Sequence, residues 1–154
     1  MKEIKRIATY RDFLGELTLT YRRTEKKTQK VTSSKSAADF LRSYYDKYMD
    51  DREEFKILHL NRNNLICNVD EIGQGTDTGI LIDTKTVVRN ALQIKVHGVI
   101  LSHSHPSGSL RPSQADRDLT KKLKEAFAFF DITVLDHIIM TRESYYSFAD
   151  EGIL

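Results

Sequence analysis

Long apolar runs are absent from this chain of 154 residues, and cysteine occurs only once. No stretch approaches the roughly 18 apolar residues that span a bilayer, and the opening MKEIKRIATYRDF lacks the apolar core of a signal peptide. The single cysteine, Cys67, excludes an intramolecular disulfide and a four-cysteine zinc site, and one free thiol fits a reducing compartment. We therefore expect a soluble, cytoplasmic protein with no membrane partner.

A large charge of one sign is also missing. The 24 basic and 22 acidic side chains leave a net charge of +2, so there is no whole-protein electrostatic footprint for nucleic acid. Apolar residues make up 40% of the chain and charged residues 30%, which excludes a disordered chain. The length fits one domain of about 150 residues.

The charge is concentrated near the start of the chain. Residues 1–50 hold 12 of the basic and 7 of the acidic side chains, and the run RRTEKKTQK at 22–30 is the densest part. Before this run, Leu17, Leu19 and Tyr21 alternate with polar residues as in a half-buried strand, and helical spacing follows across 36–50. We interpret residues 1–50 as a basic strand-and-helix extension and 51–154 as the main domain. The basic run is either a solvated loop or a contact for phosphate or another acidic partner.

Strand and helix patterns alternate in the rest of the chain. A hairpin is predicted across the turn NRNN, and a short, wholly apolar strand, GVIL, is typical of the centre of a sheet. Two helices are predicted, one capped by Asp83 or Thr84 with Leu92 on its inner face, the other starting at Ser113 with Phe130 on its inner face. The predicted strands are 55–60, 65–69, 98–101, 132–140 and 145–148. The fold class is α/β (α+β), a single domain with a central mixed β-sheet flanked by helices.

Two histidines follow the central strand directly, in His103-Ser104-His105. Side chains two apart in an extended segment point the same way, so both imidazoles can converge at the carboxyl end of the strand, a usual place for sites in open sheets. Asp116 lies in the first turn of the next helix, and the proline- and glycine-containing loop between can bring it to them. Two imidazoles and a carboxylate form a three-ligand zinc set with a fourth position open for water, as in catalytic sites.

A hydrolytic site also needs a carboxylate that is not a ligand, to act as general base. Glu71, before the turn IGQG, is the first candidate, and Asp70 is a close competitor. Ser113 could donate its hydroxyl to a substrate carbonyl oxygen. Plainer interpretations stay open: Ser113 and Asp116 also have the spacing of a capping box, and Glu71 could be an ordinary solvated acid.

Other interpretations of these residues lack their motifs. There is no HExxH for a helix-borne zinc site, no second cysteine for a nucleobase deaminase, and no Walker A loop. Cys67 could pair with a histidine in a thiol protease, but it lies within an apolar strand pattern and is better interpreted as a core residue.

The stretch HSHPSGSLRPSQAD resembles the JAMM (MPN) metalloprotease motif. The fixed positions of that motif are matched by His103, His105, Pro106, Ser113 and Asp116. The surroundings resemble RadC-type bacterial proteins more specifically, through HSHPSG, PSQAD, VLDHIIM and YYSFADEG, over roughly residues 55–154. Two features differ from that family: from the length of this chain we expect no N-terminal helix-hairpin-helix region, and Ser104 stands in place of the usual asparagine.

The resemblance implies a JAMM/MPN (cytidine-deaminase-like) fold and a zinc-dependent hydrolase of peptide or isopeptide bonds. It assigns one Zn²⁺ per chain to His103, His105 and Asp116, the general base to Glu71 and oxyanion stabilisation to Ser113. His137 matches a DH pair of the family and is given no role beyond a structural hydrogen bond. The alternatives are a DNA-repair-associated or protein-binding module without hydrolysis, and a metal-dependent hydrolase of another bond such as a phosphodiester. The substrate and the oligomeric state are not predicted.

Overall fold

A five-stranded mixed sheet carries helices on both faces in the computed structural model, which describes residues 14–75 and 81–154. The strands are β1 (Glu54–Leu60), β2 (Ile66–Gln74), β3 (Gly98–Ser104), β4 (Thr133–Met140) and β5 (Tyr145–Ser147). The helices are α1 (Ser34–Tyr45), α2 (Thr84–Leu92) and α3 (Gln114–Ala128). The order across the sheet is β2-β1-β3-β4-β5, with β3 and β4 parallel and the other pairs antiparallel. The predicted fold class is confirmed.

Helix α1 covers one face of the sheet. Its start is stabilised by a capping box, in which the Ser33 hydroxyl accepts from the Ser36 N–H and the Ser36 hydroxyl accepts from the Ser33 N–H. Its buried side chains, Leu41 and Tyr45 among them, pack against Ile138 and other side chains of the sheet in one apolar cluster. Part of the predicted extension therefore shares a core with the sheet, while the boundary at residue 50 stays a prediction.

Helices α2 and α3 cover the opposite face. Asp83 caps α2 as predicted, with its carboxylate accepting from the backbone N–H groups of Lys85 and Thr86. Two predictions about apolar faces are wrong: Leu92 is 50% exposed and Phe130 is 48% exposed. Leu92 is the last residue of α2 and Phe130 lies two residues beyond the end of α3, so both stand at helix ends rather than over the buried middle of a helix. The inner residues of this face form a second apolar cluster, which includes Phe55, Ile57, Val87, Leu101, Leu123 and Phe127.

The segment before α1 differs from its sequence pattern. Leu17, Leu19 and Tyr21 are 57–61% exposed and lie in no strand, so the predicted half-buried strand is wrong. The segment runs beside β2 without forming a ladder: the Tyr21 hydroxyl donates to the Cys67 carbonyl, the Ile66 N–H donates to the Gln29 carbonyl, and Lys30 forms an isolated bridge with Leu65. Helix α1 also ends earlier than the pattern across 36–50 predicted.

The β1–β2 hairpin forms as predicted, across the turn of asparagines. Asn61 Oδ1 accepts from the backbone N–H groups of Asn63 and Leu65. Asn64 has a φ of 57°, in the left-handed region that asparagine tolerates better than most residues. Over residues 14–75 and 81–154, none of the helices has both the length and the apolar character required to cross a bilayer.

Candidate metal centre

Three side chains meet where β3 ends. His103 is the second-to-last residue of β3, and His105 is the first residue after that strand. Asp116 lies in the first turn of α3. One nitrogen or oxygen from each lies within 4.8 Å of the others. Sequence reasoning had placed these three residues together from their spacing, and the fold brings them together because α3 starts beside the end of β3.

The distances between the three groups suit a small metal ion. Asp116 Oδ1 lies 3.3 Å from His103 Nε2, and Asp116 Oδ2 lies 3.6 Å from His105 Nε2. Ligand atoms bound tetrahedrally to zinc at about 2.0–2.1 Å lie roughly 3.3 Å from one another. The two Nε2 atoms are 2.9 Å apart, so a small opening of this pair would complete the geometry. The donor set of two imidazoles and one carboxylate is also one that zinc prefers.

The turn after β3 orients His105. Its backbone N–H donates to the Met140 carbonyl at 2.9 Å, and its carbonyl accepts from the Gly108 N–H at 3.0 Å. Gly108 has a φ of 79°, which strains any residue with a Cβ. His105 Nδ1 lies 2.8 Å from the Ser109 carbonyl. Since a carbonyl only accepts, Nδ1 carries a proton, and the other nitrogen faces the cluster.

The capping box and the cluster share Asp116. Its Oδ2 accepts from the Ser113 N–H at 2.8 Å, while the Ser113 hydroxyl accepts from the Asp116 N–H at 3.0 Å. Burial would raise the pKa of the Asp116 carboxyl, but the neighbouring imidazoles of His103 and His105 and the Ser113 N–H outweigh burial and hold that pKa well below its usual range. The cap thus aims an ionised carboxylate at the two imidazoles.

Glu71 is not brought to this cluster. It pairs across the sheet with Lys56, which in turn pairs with Ser102, so these three side chains share the face covered by α1. Glu71 Oε1 accepts from Lys56 Nζ at 2.7 Å, and that nitrogen lies 5.1 Å from the centre of the Tyr45 ring of α1. His103 lies on the other face, because it pairs with Phe55, the neighbour of Lys56. The expected approach of Glu71 fails because neighbouring residues of a strand point to opposite faces.

Asp70, the competing acid, lies on the correct face but against α2. It pairs with Ile57 on β1, and its Oδ2 accepts from Asn90 Nδ2 at 3.0 Å. Burial raises the pKa of its carboxyl. Asp70 is therefore engaged with α2 and stands on β2, with β1 between it and the strand of the histidines.

A third acid, Glu53, which the sequence pattern did not single out, lies close enough for its charge to act on His105. Glu53 stands one residue before β1 and His105 one residue after β3, and Phe55 of β1 pairs with His103 of β3, so both residues lie next to the same end of this strand pair. Ser104 Oγ accepts from the Glu54 N–H at 3.0 Å and lies 3.4 Å from the Arg52 carbonyl, so the backbone on both sides of Glu53 is held against β3. Burial would lower the pKa of His105, but the Asp116 carboxylate and the Ser109 carbonyl raise it, and the charge of Glu53 adds the smallest contribution.

The comparisons with known proteins agree with this architecture. The model of the RadC-like JAB domain matches residues 31–153. A UPF0758 protein of Flavobacterium johnsoniae is 41% identical over 127 residues, which are 82% of this chain and 55% of that protein. The UPF0758 protein YfjY of Escherichia coli K12 is 36% identical over 138 residues, 90% of this chain and 85% of that protein. A UPF0758 protein of Chlorobium chlorochromatii is 37% identical over 105 residues, 68% of this chain. The chain spans about half the length of the first and third of these relatives, 55% and 47%.

Proposed function

The chain belongs to the RadC-like JAB domain family, and from this membership and the geometry of its metal centre we propose that it is a zinc-dependent hydrolase of a peptide or isopeptide bond. The observation that carries the proposal is the convergence of one atom each from His103, His105 and Asp116 within 4.8 Å of one another. All three belong to the cluster at the end of β3, where a protein or peptide substrate could approach from solvent.

In this proposal the three residues hold one zinc ion per chain. Zinc held by three protein ligands supplies a Lewis acid and lowers the pKa of a coordinated water to about 7. The half-buried His105 and Asp116 side chains, which are 11% and 18% exposed, lie on the open side of the cluster. The 4% exposed His103 side chain forms its floor.

We propose Glu53 as the general base. Support comes from its position one residue before β1, next to the end of β3 that carries the histidines, and from the effect of its charge on His105; its carboxylate would take a proton from water and return it to the leaving amine. Glu71 remains the sequence-based alternative, but its carboxylate is held by Lys56 on the other face of the sheet. The Ser113 hydroxyl accepts a hydrogen bond in the cap and keeps its own proton, so a role in stabilising an oxyanion also remains a proposal.

The first test is the zinc content of protein purified without chelator. The proposal expects about one zinc per chain in the wild type and a loss of at least about tenfold in affinity for Asp116→Ala. Asp118→Ala is the matched control, because Asp118 lies on the exposed side of the same helix and, among the described residues, bonds only Gln114. A stably folded wild type that takes up no zinc would refute the metal site.

The second test separates the two acids. Glu53→Gln and Glu71→Gln each remove a charge with little change in shape, and both variants should still bind zinc. Against libraries of peptides and isopeptide-linked conjugates, Glu53→Gln should lose activity by at least about a hundredfold, the usual contribution of a general base, while Glu71→Gln should stay near the wild type. The reverse result would return the role to Glu71.

A groove beside β2 favours a second candidate function, binding of single-stranded nucleic acid without hydrolysis. It has a volume of about 1120 Å³, and the basic segment Arg22–Lys27 lines it together with Phe40 and Tyr44. Lys26 Nζ lies 5.3 Å from the centre of the Tyr44 ring, and the rings of Phe40 and Tyr44 stack at 5.3 Å. Cationic grooves with aromatic walls are typical of proteins that bind single strands.

This candidate predicts binding of a labelled single-stranded oligonucleotide that weakens steeply with salt. Neutralising the four cations of the groove should abolish the binding and flatten the salt dependence. Neutralising Lys121 and Lys122, exposed on α3, should do neither. Wild-type protein that shows no salt-sensitive binding would remove the candidate. The groove substitutions are Arg22→Gln, Arg23→Gln, Lys26→Gln and Lys27→Gln.

A further inference from the structure

Behind His103, a chain of hydrogen bonds leads away from the cluster and returns to it. His103 Nδ1 lies 2.7 Å from His137 Nε2, and His137 Nδ1 lies 2.6 Å from Thr120 Oγ1. Thr120 Oγ1 donates to the backbone carbonyl of Asp116 at 2.6 Å. The chain therefore begins at the side chain of one predicted ligand and ends at the main chain of another, crossing from β3 through β4 to α3.

The side chains linked by these hydrogen bonds are buried away from water. His137 is fully buried and Thr120 is 3% exposed. The imidazole of His137 stacks on the Phe148 ring, with ring centres 4.6 Å apart. It also forms a T-shaped contact with the Phe55 ring, with ring centres 5.8 Å apart. A buried polar group without a partner costs roughly 1–3 kcal/mol, so each of these groups depends on its neighbour in the chain.

The positions of the protons in this series of hydrogen bonds follow from its last acceptor, the backbone carbonyl of Asp116. A carbonyl can only accept, so the Thr120 hydroxyl proton points to Asp116, and the Thr120 oxygen must accept from His137 Nδ1. An imidazole buried among aromatic rings avoids a second proton, so His137 Nε2 is an acceptor. The proton between the two histidines therefore belongs to His103 Nδ1, which leaves the lone pair of His103 Nε2 facing Asp116 and His105.

We propose that Thr120 and His137 are positioning residues for the metal centre, which hold His103 in the tautomer whose Nε2 can bind a metal ion. This inference rests on the zinc site proposed above. Without the Thr120 oxygen, His137 Nδ1 loses its acceptor, and the ring can move its proton to Nε2. His137 then donates to His103 Nδ1, which forces the His103 proton to Nε2, where it opposes metal binding.

The tautomer itself is measurable in metal-free protein. Long-range ¹H–¹⁵N spectra of the imidazole rings distinguish a proton on Nδ1 from one on Nε2. The wild type and Thr120→Ser, which keeps the hydroxyl, should show the proton of His103 on Nδ1. Thr120→Val, which has nearly the same shape without the hydroxyl, should show a changed tautomer. A wild-type His103 protonated on Nε2 alone would overturn the proposal.

Zinc affinity, measured by competition with a chromophoric chelator, gives the second readout. Thr120→Val should bind Zn²⁺ about 10–100 times more weakly than the wild type, and Thr120→Ser should recover most of the loss. A folded Thr120→Val with wild-type affinity would mean that Thr120 serves stability only, and would overturn the proposal. If the wild type binds no zinc but the spectra show the expected tautomers, the proposed metal function fails while the control of the His103 tautomer stands.

Discussion

His59 gives a quantitative prediction of how stability depends on pH. It lies in β1, is fully buried, and its Nδ1 is 3.2 Å from Asn68 Nδ2. Its Nε2 is also buried and finds no hydrogen-bond partner among the described residues. Burial lowers the pKa of His59 from 6.5 to about 4, because a charged imidazole would have to give up its water here.

The sign follows from which state binds the proton. Above pH 6.5, His59 is neutral in the folded and the unfolded chain and contributes no pH dependence. As the pH falls below 6.5, the unfolded chain takes up a proton that the folded protein refuses until about pH 4. The free energy of unfolding therefore falls through this window, by about 2 kcal/mol at pH 5 and by about 3 kcal/mol near pH 4.

Urea unfolding followed by circular dichroism between about pH 5 and pH 8, with chelator present, measures this effect. His59→Gln removes the titrating group and keeps an amide beside Asn68. Its loss of stability from pH 7 to pH 5 should be about 2 kcal/mol smaller than that of the wild type. His97→Gln is the control, because His97 is exposed and its replacement should leave the wild-type curve unchanged. The reasoning is refuted if the curves of His59→Gln and the wild type run parallel.

Three further substitutions test the packing around the sheet. Lys56→Met should lower the free energy of unfolding by about 3 kcal/mol, because Lys56 is 2% exposed and its loss leaves Glu54, 7% exposed, with a weaker charge balance. Glu71→Gln should cost less than about 1 kcal/mol, because the Glu71 side chain is 64% exposed and the glutamine oxygen can still accept from Lys56; equal losses of the two variants in urea would contradict at least one of these expectations. Gly98→Ala should cost about 1–2 kcal/mol, because an added Cβ would lie 2.8 Å from Leu135 Cδ1. An unchanged melting temperature would mean that the Leu135 side chain moves aside freely.

Local signals in the sequence were sufficient for much of the fold. Asp83 and Ser113 begin helices where they were expected, because a cap depends on residues two or three positions away. The two histidines were placed together for the same reason, since one strand carries both. Leu92 and Phe130 were misplaced because an apolar spacing does not record where the helix ends.

The acid that we propose as general base depends on long-range information. Glu53 and His105 are 52 positions apart, and only the antiparallel pairing of β1 with β3, in which Phe55 lies opposite His103, brings their segments together. Glu71 was preferred because it precedes a glycine-rich turn, yet a shift of one residue along a strand reverses the face. A usable signal was present: Glu53 stands two positions before Phe55 and four before Ile57, both of which face α2 and α3.

The Asp116 carboxylate takes part both in the helix cap and in the candidate metal cluster, so the stability of the start of α3 should report whether a metal ion is bound. A metal ion bound by this carboxylate and by the histidines would link the first turn of α3 to the sheet. The backbone amides of that turn would then exchange with deuterium more slowly. Emptying the site would let the same turn fray while the far end of the helix, anchored by Phe127, exchanged as before. The loop at 106–112 should tolerate a change in length better than the three-residue spacing from Ser113 to Asp116. One residue inserted between Ser113 and Asp116 would break the capping box and also move the Asp116 carboxylate away from the histidines.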